Sequence, residues 1–226
     1  LARGEYLGAF CLTEPHVGSE ASGLRTTAVR DGGHWILNGV KQFITSGKHA
    51  DVAIVLAVTD KAAGKRGISA FIVETSTPGY VVARIEEKLG QHASDTAQIL
   101  FEDCRVPAAN LILEEGAVFA IAQARLGPGR VHHCMRSIGQ CELALELMCA
   151  RAAERRTFGK YLHQHGTVAE WIALSRIEIE QARLLVLKAA WLMDRAGPKA
   201  AAHEIAMIKA LVPRVQTTVC DRAMQT

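Results

Sequence analysis

The sequence predicts an α+β chain: an antiparallel β-barrel domain over residues 1–112, followed by an incomplete up-and-down helical bundle over residues 113–226. Three observations predict it. Short apolar runs separated by Gly, Pro, Asn and charged turns recur from residue 7 to about 105, the spacing of a closed or nearly closed antiparallel barrel. Near Pro107 the period changes. From Gly116 onward apolar residues return every three or four positions, the period of an amphipathic helix.

The first strand carries Phe10-Cys11-Leu12-Thr13 and stops at Glu14-Pro15, because proline has no N–H to give a ladder. The loop that follows holds Gly18, which frees the backbone, and the hydroxyls of Ser19 and Ser22. Such a loop is either a plain Pro/Gly turn or a binding loop held on a rigid strand. Thr26–Arg30 leads into the turn signal Asp31-Gly32-Gly33, and the chain returns through His34–Leu37. Asn38-Gly39 reads as a second turn, before Lys41-Gln42-Phe43-Ile44-Thr45. Val52–Val58 is a buried strand, Thr59–Arg66 a charged loop, and Ile68–Val73, Tyr80–Ile85 and Gln98–Glu102 complete the set.

In the second half Val131, Met135, Ile138, Cys141, Leu145, Met148 and Ala152 form one helical stripe, with Gly127-Pro128-Gly129 as a helix break before it and Gly159 at its end. Val168, Ile172, Ser175, Ile179, Ala182, Val186, Ala189 and Met193 form a second, with steps of four and three that make a nearly coiled-coil seam. Gly197-Pro198 ends it. A third helix begins near Ala201 with Ile205, Ile208 and Leu211, and Pro213 is expected to kink it.

Composition bounds the function. An apolar share of 49% supports a core, and a net charge of +3 is too mild to argue for nucleic acid or an anionic membrane. The longest clean apolar run, Val52–Val58, falls far short of the roughly 20 residues of a membrane helix. The six cysteines contain no C-x-x-C pair, so structural thiols in a reducing compartment are expected rather than disulfides or zinc. His132-His133 and His163-x-His165 do not face a common point on a helix, and no metal is expected. There is no Gly-x-Gly-x-x-Gly after a strand, no Walker loop and no Gly-x-Ser-x-Gly. The chain begins at Leu1 without methionine or signal peptide and ends inside an expected helix. It reads as a segment of a longer protein.

Two motifs carry a resemblance. Thr13-Glu14-Pro15-x-x-Gly18-Ser19, followed by Phe43-Ile44-Thr45, is similar to the flavin-contacting signature of the acyl-CoA dehydrogenase family. Most relatives have tryptophan where this chain has Phe43. Glu154-Arg155-Arg156-Thr157-Phe158-Gly159-Lys160 resembles the family's Glu-Arg-x-x-Phe-Gly-Lys motif, and counting from the motif picks Arg155. Lys88–Thr96 and Phe101–Pro107 match later barrel segments. The likeness spans nearly all of the chain and represents the family's middle domain and part of its last. Residues 8 to about 112 look like straight-chain members; Arg125–Arg136 and Glu204–Lys209 look like a divergent subgroup, some of whose members carry kinase-like domains.

The resemblance implies FAD-dependent α,β-dehydrogenation of an acyl-CoA thioester, with electrons passed to an electron-transfer flavoprotein. A flavin ring needs an apolar or aromatic face and hydrogen bonds along its polar edge. The resemblance therefore assigns Thr13 and Thr45 to that edge, Phe10, Leu12, Phe43 and Ile44 to its surroundings, and Gly18 and Ser19 to the loop between cofactor and substrate. Arg155 and Phe158 would reach the FAD of a neighbouring subunit in a homodimer or homotetramer, and Arg130 would lie near the substrate. The base is expected beyond Thr226; Glu142, Glu146 and Glu170 read as solvated helix carboxylates. The family usually has a glutamine where this chain has Gly166, and some relatives place their base at the position of Gly129. The compartment implied is a bacterial cytosol or the mitochondrial matrix. An acyl-CoA oxidase or other flavoenzyme of the same fold would share these motifs, and a non-catalytic helical assembly module would share the seam.

Overall fold

The structure is a computed structural model that describes residues 1–118, 121, 122 and 125–226. It falls into two compact units, Leu1–Ala122 and Gln123–Thr226.

The first unit is built on one seven-stranded sheet: β1 (Gly8–Cys11), β2 (Thr27–Asp31), β3 (His34–Thr45), β4 (Val52–Val58), β5 (Ile68–Glu74), β6 (Tyr80–Ile85) and β7 (Thr96–Pro107). The order is β1-β4-β2-β3-β7-β6, with β5 on the other edge of β4. The sheet is mixed, which corrects the expectation of a purely antiparallel barrel. β1 pairs parallel to β4 from Gly8↔Val52 to Cys11↔Val55, and β2 joins the same edge in parallel at Thr27↔Val58. The reason is topological. The chain leaves β4's edge after β1, makes an excursion over residues 12–26, and rejoins that edge travelling the same way. Gln42 N–H reaches the carbonyl of Thr13 at 2.8 Å although β4 and β2 stand between β1 and β3 in the order, so the sheet curls.

The hairpin at Asp31-Gly32-Gly33 forms as expected, with Asp31 opposite His34 and Gly32 at φ 56°. Asn38-Gly39 is not a turn. β3 runs straight through it as one strand with a bulge against β7, where the register shifts between Leu37 and Gly39. Gly39 stands at φ 149°, and a Cβ there would meet the Cα of Thr26 at 2.6 Å. The glycine serves a close backbone approach rather than a reversal. Asn38 closes the bulge by donating to Asp103 Oδ1 at 3.0 Å and accepting from the Asp103 N–H at 2.9 Å.

Alternation along the strands divides the apolar residues between two clusters. Ala9 and Cys11 join Trp35, Leu37, Ile44, Phe71 and Ile99 in the main core, where the rings of Trp35 and Phe71 lie 5.4 Å apart. Phe10 and Leu12 point the other way and pack with Leu24, Leu56, Ile68 and Val118.

The second unit holds α1 (Val118–Glu154, which begins in the first unit), the short hairpin β8 (Arg156–Thr157) and β9 (Lys160–Tyr161), α2 (Gly166–Ala200) and α3 (Ala202–Gln225). All three helices turn their apolar stripes to the core as their periods require: Ile138 of α1, Ile179 of α2 and Ile208 of α3 are fully buried in one cluster. Ser175, the polar member of the seam, accepts from Arg222 of α3 at 3.2 Å. Gly197 breaks α2 at φ 82°, as its Gly-Pro pair requires. Gly127-Pro128-Gly129 does not break α1, which continues through Pro128, and α3 likewise continues through Pro213. A proline inside a helix costs about 3 kcal/mol, and long stripes seated in a shared core offset it. Among the described residues, no helix is long and apolar enough to cross a membrane. All six cysteines are free, and Cys11, Cys104, Cys134 and Cys141 are buried.

Candidate functional site: the Thr13 loop and the β3 bulge

The excursion between β1 and β2 begins with a tight turn. Glu14 and Val17 exchange backbone hydrogen bonds at 2.9 and 3.1 Å around Pro15-His16. Proline at the first central position fits this turn, since its fixed φ is already that of a type I or II corner. The loop is then closed at its far end by Glu14 itself. Its Oε2 accepts from the Arg25 N–H at 2.7 Å and its Oε1 from the Thr26 N–H at 3.0 Å. One carboxylate thus fills the gap between the end of β1 and the start of β2 along the edge of β4.

The same carboxylate reaches β3. Lys41 Nζ donates to Glu14 Oε1 at 2.8 Å and to the Leu12 carbonyl at 3.2 Å, with the lysine side chain wholly out of solvent. Burial works to raise the Glu14 pKa, but the charge and hydrogen bond of Lys41, with the bonds from Thr26 and Arg25, outweigh it and hold it below its ordinary value. Burial also pulls the Lys41 pKa down, opposed by Glu14. The Cys11 thiol beneath is pushed up to about 12 by burial, against the pull of Lys41. It is a packing residue, not a nucleophile.

Past Lys41 the strand bulges a second time, with a register shift between Lys41 and Ile44. Phe43 takes up the bulge at φ 58°, a region that bulky residues rarely enter. The consequence is a re-aimed side chain. Gln42 and Ile44 are both buried while Phe43 is 60% exposed. Gln42 is fixed by donating to Glu86 and accepting from Gln98 at 2.6 Å.

Around this bulge the residues named from the sequence fall as follows. Thr13 is half-buried and Thr45 exposed. Among the described residues neither hydroxyl has a hydrogen-bond partner. Ile44 turns its side chain into the main core, and Phe10 and Leu12 are partly buried against the second cluster. Gly18 and Ser19 are exposed. Gly18 is not in a positive-φ conformation, and a Cβ there would meet nothing. The conformational freedom expected of Gly18 is therefore not used by the loop's own backbone; what a glycine here permits is close approach by another molecule.

In the second unit the Phe158-Gly159 pair forms the corner of the β8–β9 hairpin, with φ 51° and 79°. Positive φ at both corner residues is the signature of a type I′ turn, which normally takes Asn-Gly. Here a phenylalanine occupies the first corner and is 97% exposed. Arg156 is committed to the hairpin: it donates to the Gly159 carbonyl at 3.1 Å and lies 4.8 Å from the centre of the Tyr161 ring. Arg155, the residue picked by the motif, follows the end of α1 with its side chain exposed, and its carbonyl accepts from Leu162 N–H at 2.9 Å. Arg130 is half-buried on α1. Glu142 is not a solvated carboxylate as expected. Its Oε2 accepts from Arg176 at 2.8 Å, and Arg183 bonds it too, so its pKa is held down by the Arg176 hydrogen bond first. His163 Nδ1 lies 3.1 Å from the Ala152 carbonyl and His165 Nε2 3.3 Å from Thr157 Oγ1.

Sequence reasoning missed the Glu14–Lys41 pair and both strained phenylalanine conformations. The pair's residues lie 27 positions apart, and nothing local signals that either charge is buried. The only signal for Phe158 was its place before a glycine.

Residues 9–104 match the model of the acyl-CoA dehydrogenase middle domain, and residues 118–226 that of the acyl-CoA dehydrogenase C-terminal domain. The chain is 46% identical over 231 residues to the probable acyl-CoA dehydrogenase FadE2 of Mycobacterium tuberculosis, across the whole chain and 56% of that protein. It is 45% identical over 238 residues to acyl-CoA dehydrogenase family member 11 of Gallus gallus, again across the whole chain and 30% of that relative. Butyryl-CoA dehydrogenase from Megasphaera elsdenii superposes with a TM-score of 0.92 at 39% identity, over 97% of this chain and 57% of that structure. The chain thus spans between 30% and 57% of the length of these three proteins.

Proposed function

The chain belongs to the acyl-CoA dehydrogenase family, and from that premise we propose that it forms the flavin-edge and subunit-boundary portion of an enzyme that desaturates an acyl-CoA thioester between its α and β carbons. The observation that carries this reading is the β3 bulge. Strained backbone persists where the surrounding structure holds it, and such strain clusters at functional sites. Here the bulge presents Phe43 outward next to a loop whose Thr13 hydroxyl has no hydrogen-bond partner among the described residues.

The residues present fit FAD. Thr13 and Thr45 offer hydroxyls to the polar edge of an isoalloxazine ring, Phe43 offers a face, and the bare backbone at Gly18 admits close contact beside Ser19. Arg155 offers a guanidinium matched to pyrophosphate oxygens, and Phe158 an exposed ring, to the cofactor of a second copy of the chain. Arg130 serves the substrate. Bound FAD supplies the acceptor for the hydride that leaves the β-carbon as a carboxylate takes the α-proton. The side chains of this chain orient the ring, exclude water from its face and hold the thioester. Hydrogen bonds to the thioester carbonyl that strengthen as negative charge develops there would lower the barrier. No carboxylate of the chain is assigned as the base. We assign an electron-transfer flavoprotein as the partner that would take the two electrons, a homo-oligomer as the assembly, and a bacterial cytosol or the mitochondrial matrix as the setting.

The test is anaerobic addition of acyl-CoA thioesters to the purified flavoprotein. Bleaching of the flavin band, with electrons recovered by an electron-transfer flavoprotein, supports the reading. Peroxide formed without added acceptor identifies an oxidase instead. A colourless protein that self-associates tightly identifies an assembly module.

A further inference from the structure

We propose that the buried Glu14–Lys41 pair is a positioning device that holds the Thr13 loop against the β3 bulge, so that Thr13 and Phe43 are presented together. The proposal rests on the flavin reading above. Lysine is almost never fully buried unless paired. Here Lys41 is fully buried, and its ammonium bridges two elements of the site, donating to Glu14 Oε1 at 2.8 Å and to the Leu12 carbonyl at 3.2 Å. Glu14 adds the start of β2 through the N–H groups of Arg25 and Thr26, and His16 Nε2 lies 3.6 Å from its other oxygen. Three segments of chain, residues 12–14, 25–26 and 41, therefore meet at one charge pair. Thr13 adjoins Glu14 and Phe43 stands two residues past Lys41, and these are the two that the flavin reading needs to face one ligand.

The ionised pair is more stable than its protonated or broken forms, but that does not set it above a neutral core of the same shape. Replacing a buried ion pair by apolar or neutral side chains of similar size is often neutral or stabilising, whereas removing one partner alone strands a buried charge. What the pair provides and a neutral core does not is fixed geometry: converging donors, including one to the Leu12 carbonyl immediately before Thr13. Glu14 and Lys41 are positioning residues, since they act through Thr13 and Phe43.

The experiment compares Lys41→Met with the double variant Glu14→Gln/Lys41→Met in the full flavoprotein, using two measurements: thermal midpoint, and the FAD dissociation constant of the apoprotein read by quenching of flavin fluorescence. Glutamine keeps one acceptor oxygen, for either the Arg25 or the Thr26 N–H but not both, while methionine fills the lysine's volume without donating to Leu12. Lys41→Met is expected to lower the midpoint and weaken FAD at least tenfold. The double variant is expected to recover part of the lost midpoint while FAD stays at least tenfold weaker, and amide hydrogen exchange in residues 12–17 rises before any FAD is added. FAD affinity that recovers together with the midpoint, or unchanged exchange in residues 12–17, overturns the proposal and leaves the flavin site standing. Where the double variant fails to fold, Glu14→Gln alone decides: at a temperature where it is folded, FAD weakened tenfold supports positioning and wild-type affinity refutes it. A wild-type apoprotein that takes up no FAD overturns the functional reading and this proposal with it.

Discussion

The backbone N–H of Gln42 donates to the carbonyl of Thr13 across 2.8 Å, and the residue after Gln42, Phe43, is thrown into the left-handed region at φ 58°. The two facts are linked. β3 must keep Lys41, Gln42 and Ile44 all inside, which simple alternation forbids, and the bulge at Phe43 supplies the extra residue that makes it possible. The tether to Thr13 lies immediately beside that extra residue, so loop and bulge are set by one piece of backbone.

The strained aromatic corners give the first prediction. Left-handed backbone costs a non-glycine residue roughly 1–2 kcal/mol, and glycine's greater unfolded freedom returns about 0.5–1 kcal/mol of that. Phe158→Gly is therefore expected to leave the stability of Gln123–Thr226 unchanged or raised by up to about 1.5 kcal/mol. FAD affinity falls, by about tenfold for one lost aromatic contact. Urea denaturation and FAD titration of the same variant read the two effects. A variant that loses stability without losing FAD would show that the ring serves the fold.

Acid sensitivity gives the second. Glu14 in the unfolded chain titrates at about 4.3, and in the folded chain lower, because Lys41 and its other hydrogen bonds outweigh burial. A depressed carboxyl contributes stability above its unfolded pKa and loses it as pH falls through the folded one. Wild-type stability of Leu1–Ala122 should therefore fall on acidification below about pH 4.3. Glu14→Gln should flatten that limb, although Asp95, whose pKa is also lowered as the Lys48 N–H and His49 outweigh burial, keeps part of it. Urea midpoints measured across this pH range for both proteins make the comparison; parallel acid limbs would contradict the assignment.

Gly39 gives the third. An alanine there would place its Cβ 2.6 Å from the Thr26 Cα and 2.5 Å from its hydroxyl, at φ 149°. Backbone rather than a flexible side-chain end is in the way, so the strands must part. Gly39→Ala is expected to destabilise the chain by about 2 kcal/mol or more, whereas Gly18→Ala, with open space at its Cβ, changes stability by less than about 0.5 kcal/mol. Chemical denaturation of the two variants side by side distinguishes a glycine the fold needs from one it does not.

These cases also mark how far the sequence reaches. Helix faces were legible because period is local: Ser175, Ile179, Ala182, Val186 and Ala189 are the buried residues of α2, all of them on the expected seam. The Asp31-Gly32-Gly33 hairpin was legible for the same reason. Asn38-Gly39 carries the same kind of turn signal, yet its glycine answers to Thr26, thirteen residues back and on another strand. The parallel pairing of β1 and β2 on one edge of β4 is set by an excursion whose end is closed by Glu14, and no local pattern reports it. Gly127-Pro128-Gly129 reads as a break because local cost was visible and the packing that offsets it was not. At the site, the motifs pointed to Thr13, Phe43 and Thr45, while the pair that joins their loops lay hidden in two residues that look like ordinary charges.

The central claim is that a flavin docks where the Thr13 loop meets the β3 bulge, and the visible spectrum of FAD titrated into the apoprotein, wild type beside Thr13→Val, tests it most directly. The account predicts a saturating shift with resolved vibronic structure in the wild type, and binding about tenfold weaker once the hydroxyl is gone. Titrations in which the two proteins give the same curve, or in which the wild type leaves the spectrum of free flavin unchanged, would contradict it.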